Sequence, residues 1–364
     1  MTDRDALLVL NAVPNMDAVL IRRLIEFFGS AHEVLEASLE GLNKSGLLMA
    51  DAAQNLFNFS KDKFLSNEYN LMQQRGIVAL TAADENFPSS LKDFEDAPVV
   101  LYVMGDLECL TQNSVALVGS RAASFYGVRL ARSFAQDFVH HGLNVVSGLA
   151  RGIDTAAHQG ALDAGGKTIA IVGCGFNYVY PKENHSLMKA ISHRGAVVTE
   201  FASHMPPLKH NFPWRNRIIS ALSKATVVVE AGLKSGALIT ADFAVAQNKD
   251  VFVLPSNVDN ERALGSNRLI QEGARVALNP EDVLSQIARD YFPLFPHERK
   301  PVLLLSDEQS KVYPLITCEP VHLNELVKQS GLNISTLMNI TLSLELKRAI
   351  RQLPGQYYVR NENA

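Results

Sequence analysis

An α/β fold built on a doubly wound parallel sheet, with an all-α module before it and a winged helix after it, is what this sequence predicts. Three observations carry the prediction. Six runs of Val, Ile and Ala between residues 114 and 255 are almost continuously apolar, the pattern of strands buried on both faces. Segments of helical period separate these runs. Beyond residue 306, three further helix-period segments precede a hairpin.

In chain order, residues 1–72 read as short helices. VLIRRLIEFF spaces its apolar residues helically, FGS closes it, and AHEVLEASLEGL and MADAAQNLFNF follow. Two strand-like runs, GIVAL at 76–80 and PVVLYVMGD at 98–106, flank the turn-rich DENFPSS. The six buried runs are SVALVGSR, LNVVSGLA, KTIAIVGCG, AVVTEF, ATVVVEA and DVFVLP, with helices expected at 124–141, 154–164, 184–193, 213–223, 236–248 and 266–272. Repeated βα units of this length predict ligand contacts in the loops beyond the carboxyl ends of the strands. Residues 290–306 hold three prolines and read as a linker. SDEQSKVYPLI, VHLNELVKQSG and ISTLMNITLSLELKRAI then give three helices, and QLPGQYYV a hairpin turning at Pro354-Gly355. The expected division is 1–72 helical, 73–289 α/β, 290–306 linker and 307–364 winged helix.

Thirty-four Lys plus Arg against 38 Asp plus Glu give the 364-residue chain a net charge of −4, which excludes a bulk polycation. No uninterrupted apolar stretch is long enough to span a bilayer, so no membrane partner is expected. MTDRDALLVLNAVPNMD lacks a signal-peptide pattern, and a cytoplasmic location is expected. The charge is uneven. Residues 112–280 hold 17 cationic and 11 acidic side chains, a net of +6 that leaves −10 for the remainder. Within them, 201–229 contain Lys209, Arg215, Arg217 and Lys224 and no acid. Such asymmetry points to an anionic partner held at one place.

The strand-end loops supply the candidates. Gly119, Ser120 and Arg121 offer a turn, backbone N–H groups and a planar guanidinium suited to phosphate. Gly148 and Arg151 repeat the pattern after the second run, where Asp154 reads as the N-cap of the next helix. MPPLKHNFPWRNRIIS places Lys209, Asn211, Phe212 and Trp214 beside Arg215, Asn216 and Arg217. Arg215 and Arg217 lie two apart and cannot share a helix face, so one can meet phosphate while the other braces the scaffold. Cations with interleaved aromatics are what single-stranded nucleic acid requires. Lys234, Ser235 and Gly236 open a helix, another anion site.

Other motifs fail on spacing. Gly166-Lys167-Thr168 has Ala161 where a P-loop needs its first glycine, and Gly173-Cys174-Gly175 has Tyr178 where a dinucleotide fingerprint needs its third. The three cysteines form no C-x-x-C pair and the ten histidines no H-x-x-x-H pair. Neither a cofactor nor a metal is expected. Cys174 lacks an identifiable base and reads as structural.

The strings ALVGSR, VVSGLARGID, TIAIVGCG followed by Tyr180-Pro181 and Asn184, NFPWRNRIISALS, VVVEAGLKSGALITA and GSNRLIQEGA, in this order, resemble the DNA-processing protein A family (DprA, also called Smf). The resemblance covers essentially the whole chain. It implies an extended Rossmann-like domain after a SAM or helix-hairpin-helix-like module. It implies further a cytoplasmic single-stranded DNA binder that protects incoming DNA during natural transformation and loads the recombinase RecA onto it. A homodimer through the Rossmann-like domain is implied, with no catalytic activity. The family's DNA pocket corresponds to Gly119, Ser120, Arg121, Lys209, Phe212, Arg215, Asn216, Arg217, Lys234 and Ser235. Pro255-Ser256, Asn248-Lys249-Asp250 and the TEF ending the fourth run depart from the usual family pattern.

Two alternatives bear on function. Related folds include nucleotide phosphoribohydrolases of the lysine-decarboxylase-like group, which need P-G-G-x-G-T-x-x-E. The loop here reads EAGLKSGALITA, without the glycine pair or the acid. In the winged helix, Lys347 and Arg348 sit at the C-terminal end of the recognition-position helix, which favours an interaction or packing role over duplex readout.

Overall fold

The computed structural model describes residues 1–92, 94–287, 305–347 and 349–360; most of the expected linker, 290–304, and Arg348 lie outside them. The chain packs as two units, Met1–Phe292 and Pro293–Ala364.

The first unit is organised by a nine-stranded sheet. Its strands are β1 (Ile77–Thr81), β2 (Val100–Gly105), β3 (Ser114–Gly119), β4 (Asn144–Ser147), β5 (Thr168–Ile171), β6 (Ala196–Thr199), β7 (Ala225–Glu230), β8 (Asp250–Val253) and β9 (Arg275–Val276). Their spatial order is β1-β2-β6-β5-β4-β3-β7-β8-β9. All neighbours from β6 through β9 pair in parallel, while β2 adds antiparallel to β6 and β1 antiparallel to β2. The six apolar runs are therefore the parallel core, and the two earlier runs form its antiparallel margin.

Six helices precede the sheet: α1 (Asp3–Ala12), α2 (Ala18–Phe28), α3 (Ala31–Glu36), α4 (Leu39–Lys44), α5 (Ala50–Phe57) and α6 (Lys61–Arg75). The 31–42 segment, expected as one helix, divides because Ser38 caps α4, its hydroxyl accepting the Gly41 N–H at 3.1 Å. Then come α7 (Ser89–Lys92), α8 (Phe125–His140), α9 (Ile153–Asp163), α10 (His185–Arg194), α11 (Asn211–Ala221), α12 (Gly236–Ala246), α13 (Leu264–Gln271) and α14 (Pro280–Ile287).

Strand alternation fixes which helix covers which face. Val115 and Leu117 of β3 pack with Phe134 and Phe138 of α8, Ile153 of α9 and Val283 of α14. Ala116 and Val118 pack with Ile218 of α11 and Ala237 and Ala241 of α12. Both faces are covered, as a doubly wound sheet requires. The N-terminal helices share a core with Val100, Tyr102, Ala170 and Val197. Arg22 reinforces that seam by donating to the carbonyls of Glu95 (2.8 Å) and Ala97 (2.5 Å).

The second unit is a winged helix. It comprises α15 (Asp307–Val312), β10 (Val321–His322), α16 (Leu323–Ser330), α17 (Ile334–Leu346), β11 (Ile350–Leu353) and β12 (Tyr357–Arg360), with sheet order β10-β12-β11. Val312, Leu326, Leu337, Ile340, Leu344 and Tyr358 fill its core. The opposite side of α17 exposes Ile334, Met338, Leu342 and Leu346, each at least half exposed. Among the described residues, no helix is long and apolar enough to cross a membrane.

Candidate functional site

Where strand order reverses about β3, the loops after β3 and β7 and the start of α11 enclose a cleft of about 770 Å³. Ten of the fourteen candidates line it: Gly119, Ser120, Arg121, Lys209, Phe212, Arg215, Asn216, Lys234, Ser235 and Gly236. Tyr180, Asp154, Thr240 and Arg262 also line it, four residues that no local sequence pattern assigns to a binding site.

The cleft's walls are set by short-range bonds. Ser120 donates its N–H to the Glu230 carbonyl at 2.7 Å, and its hydroxyl accepts the Ala122 N–H at 3.2 Å. The Glu230 carboxylate, 2% exposed, accepts the Ser124 N–H at 2.9 Å and also the Ser124 hydroxyl, so it anchors the start of α8. Ser235 caps α12, accepting the Ala237 N–H at 3.3 Å, and Asn216 donates to the Gly236 carbonyl at 3.1 Å. The positive end of α12 thus faces the cleft on a fixed support.

Aromatic rings form one wall. Phe212 and Tyr180 lie 5.0 Å apart between ring centroids, and the Arg121 guanidinium sits 5.5 Å from the Phe212 centroid. Gly173 explains the seat of that ring: a Cβ there would come within 2.9 Å of Phe212. The Gly-Cys-Gly loop is thus shaped by packing. Cys174 beside it is buried, and burial pushes its thiol up to about 11, out of the reactive range.

Among the described residues, five cations border the cleft, Arg121, Lys209, Arg215, Lys234 and Arg262, against one carboxylate, Asp154. All except Arg215 are exposed. Arg215 donates to the carbonyls of Gly148 (2.7 Å) and Ile171, and its Nε to the Asn216 side chain at 3.0 Å. Burial lowers its pKa to about 10, which leaves it charged at neutral pH. Asp154 corrects a sequence expectation. The N-cap of α9 is Gly152, and the Asp154 carboxylate reaches back to the N–H groups of Gly148 (3.1 Å) and Ala150 (3.3 Å). Burial raises its pKa, while the Arg215 charge pulls it down.

Four candidates lie elsewhere. Gly148 is buried beneath the Arg215 guanidinium, where a Cβ would collide with it. Arg151 is exposed and paired with Glu183. Asn211 is buried at the start of α11. Arg217, 2% exposed, meets both oxygens of Glu200 at 2.6 Å, donates to the Asp96 carbonyl at 3.0 Å and stacks 4.2 Å from the Trp214 ring. Arg215 therefore turns toward the cleft and Arg217 away from it, with Trp214 on the Arg217 side. Among the described residues, no group of three or more His, Cys, Asp or Glu side chains could hold a metal.

Residues 78–288 match the family model described as DNA recombination-mediator protein A, and residues 296–356 match the DprA winged helix domain. Protein Smf of Escherichia coli is 35% identical over 325 residues, covering 87% of this chain and 86% of its own. DNA processing protein DprA of Streptococcus pneumoniae is 40% identical over 225 residues, 62% of this chain and 78% of its own. The X-ray structure of the Streptococcus pneumoniae protein superimposes with a TM-score of 0.67 at 35% identity, over 79% of this chain and 98% of that one. DNA processing protein A of Helicobacter pylori, whose structure is described for its single-stranded DNA binding mode, superimposes with a TM-score of 0.54 at 31% identity, over 59% and 97%. On the family match and on relatives aligned over most of its length, the chain belongs to the DNA recombination-mediator protein A family, the DNA-processing proteins named DprA and Smf.

Proposed function

We propose that the strand-end cleft holds single-stranded DNA and that the protein protects incoming strands and hands them to the recombinase RecA during natural transformation. One observation carries the reading: five cations against one carboxylate surround a partly exposed aromatic pair. Arg121, Lys209, Lys234 and Arg262 neutralise phosphates, Phe212 and Tyr180 stack bases, and the α12 N-terminus adds backbone N–H groups. Arg215 and Asn216 hold the cleft's shape at its floor, and Arg217 braces α11 from behind. The single-stranded DNA binding of the Helicobacter pylori relative supports the choice of ligand. RecA delivery, the cytoplasmic setting and a homodimer through the Rossmann-like domain rest on family resemblance. Within this reading, residues 1–72 and the winged helix from 307 onward are accessory to a DNA-binding domain at 73–289.

The reading assigns no catalytic step. Asp154 is buried against backbone N–H groups, and the start of α12 carries no acid for a phosphoribohydrolase. A mobility-shift comparison of single-stranded and duplex DNA, with and without RecA, tests it. Preference for the single strand, with faster RecA filament formation, is expected; preference for duplex would move the binding role to the winged helix.

A further inference from the structure

A second cleft of about 740 Å³ lies between α5 and α6 and the loops that follow β5 and β6. Its chemistry differs from the first. Asn55, Asn58, Asn67 and Asn177 line it, and none of these four side chains is hydrogen-bonded to the described residues. Phe64 supplies a partly exposed ring, edge-on to His204 at 5.8 Å. Among the described residues, Lys63 is the one Lys or Arg of the lining, and Glu68 its one carboxylate.

The second cleft is preformed and shares two loops with the first. Buried Glu68 accepts the Ser203 N–H at 2.9 Å and the Ser203 hydroxyl at 2.8 Å, while Arg75 donates to the Phe176 carbonyl, so α6 pins both loops. Each loop serves both clefts. The loop after β5 gives Tyr180 to the first and Asn177 to the second; the loop after β6 gives Lys209 to the first and His204 to the second. Asn177 and Tyr180 are three residues apart, a span of at most about 10 Å, with exposed Tyr178 between them.

We infer that the second cleft takes the bases of single-stranded DNA running on from the first, reading unstacked base edges with its carboxamides. The inference rests on the strand-end cleft being the phosphate-binding site. With one lysine and one carboxylate, the second cleft has little to offer a phosphate backbone. A carboxamide presents a donor and an acceptor in one plane, which matches a base edge, and Phe64 offers a face for stacking.

The test compares the full chain with an Asn58→Ala, Asn67→Ala, Asn177→Ala variant by fluorescence anisotropy. The probes are oligonucleotides of about six and about twenty nucleotides, and a long oligonucleotide abasic outside its central segment. The variant should bind the short probe like the parent and the long probe about tenfold more weakly. The abasic probe should weaken the parent by a similar factor and leave the variant unchanged. Equal long-probe affinity for parent and variant, or equal losses on both lengths, would overturn the inference. Failure of the parent to bind the short probe would overturn the strand-end reading itself, and the inference with it.

Discussion

The strand-end cleft and the recognition-position helix of the winged helix are the two places where a nucleic-acid binder of this architecture would display positive charge. The cleft collects exposed Arg121, Lys209, Lys234 and Arg262 from four separate loops. In contrast, α17 carries no Lys or Arg between Ile334 and Leu346, and its solvent side is the apolar series Ile334, Met338, Leu342 and Leu346. Lys347 just beyond it donates to Gln309 at 2.7 Å. The difference teaches that net charge is a poor guide here. A chain of −4 can concentrate cations where loops converge while the domain type most associated with DNA presents a surface suited to apolar contact.

The largest expected effect tests whether the cleft's cations and its scaffold are separable. Glu200→Ala removes the closer of the two carboxylates paired with buried Arg217, leaving Asp96 at 3.6 Å, and should cost about 3 kcal/mol of stability, read from a denaturation midpoint, while folded protein keeps its single-strand affinity. Loss of affinity without loss of stability would put Arg217 in the interface. Next comes acid. Burial, with the nearby Arg215 charge, holds His158 at about 3 against an ordinary 6.5. The folded state therefore resists a proton that the unfolded state accepts, and the first unit should lose stability as pH falls from about 6.5 toward about 3. His158→Gln should flatten that dependence; an unchanged pH profile would remove His158 as its cause.

Phe212→Ala should weaken single-strand binding by about 1–3 kcal/mol through lost stacking. An effect within about 0.5 kcal/mol would reduce the aromatic wall to packing. The smallest expected effect belongs to the winged helix. Met338→Ser with Leu342→Ser should change single-strand affinity by less than about 0.5 kcal/mol in the full chain. A larger loss in binding titrations would erase the contrast between the two regions.

Much of this was legible in the sequence because parallel strands buried on both faces leave unmistakable apolar runs. Elements without such a signature were missed. β9 has two residues, one of them charged, and α6, although inside the stretch read as helical, could not be delimited because its apolar face of Phe64, Leu65 and Met72 is only partly buried and is interrupted by buried Glu68. α14 follows a start signal, Asn279 before Pro280, but spans only eight residues, too short for its apolar period to stand out. In the site, the basic stretch and the strand-end loops were readable locally. Tyr180 and Arg262 were not, because each enters from a loop whose own sequence carries no binding pattern. Arg215 and Arg217 could be separated by spacing, but which one faces the cleft depends on Glu200 at the end of another strand.

A salt titration of single-strand affinity tests the cleft most directly. Four exposed cations predict a log–log slope of about −3, and Arg121→Glu with Lys209→Glu should reduce it to about −1.5 with a large loss of affinity at low salt. An unchanged slope and affinity in that variant would contradict the account.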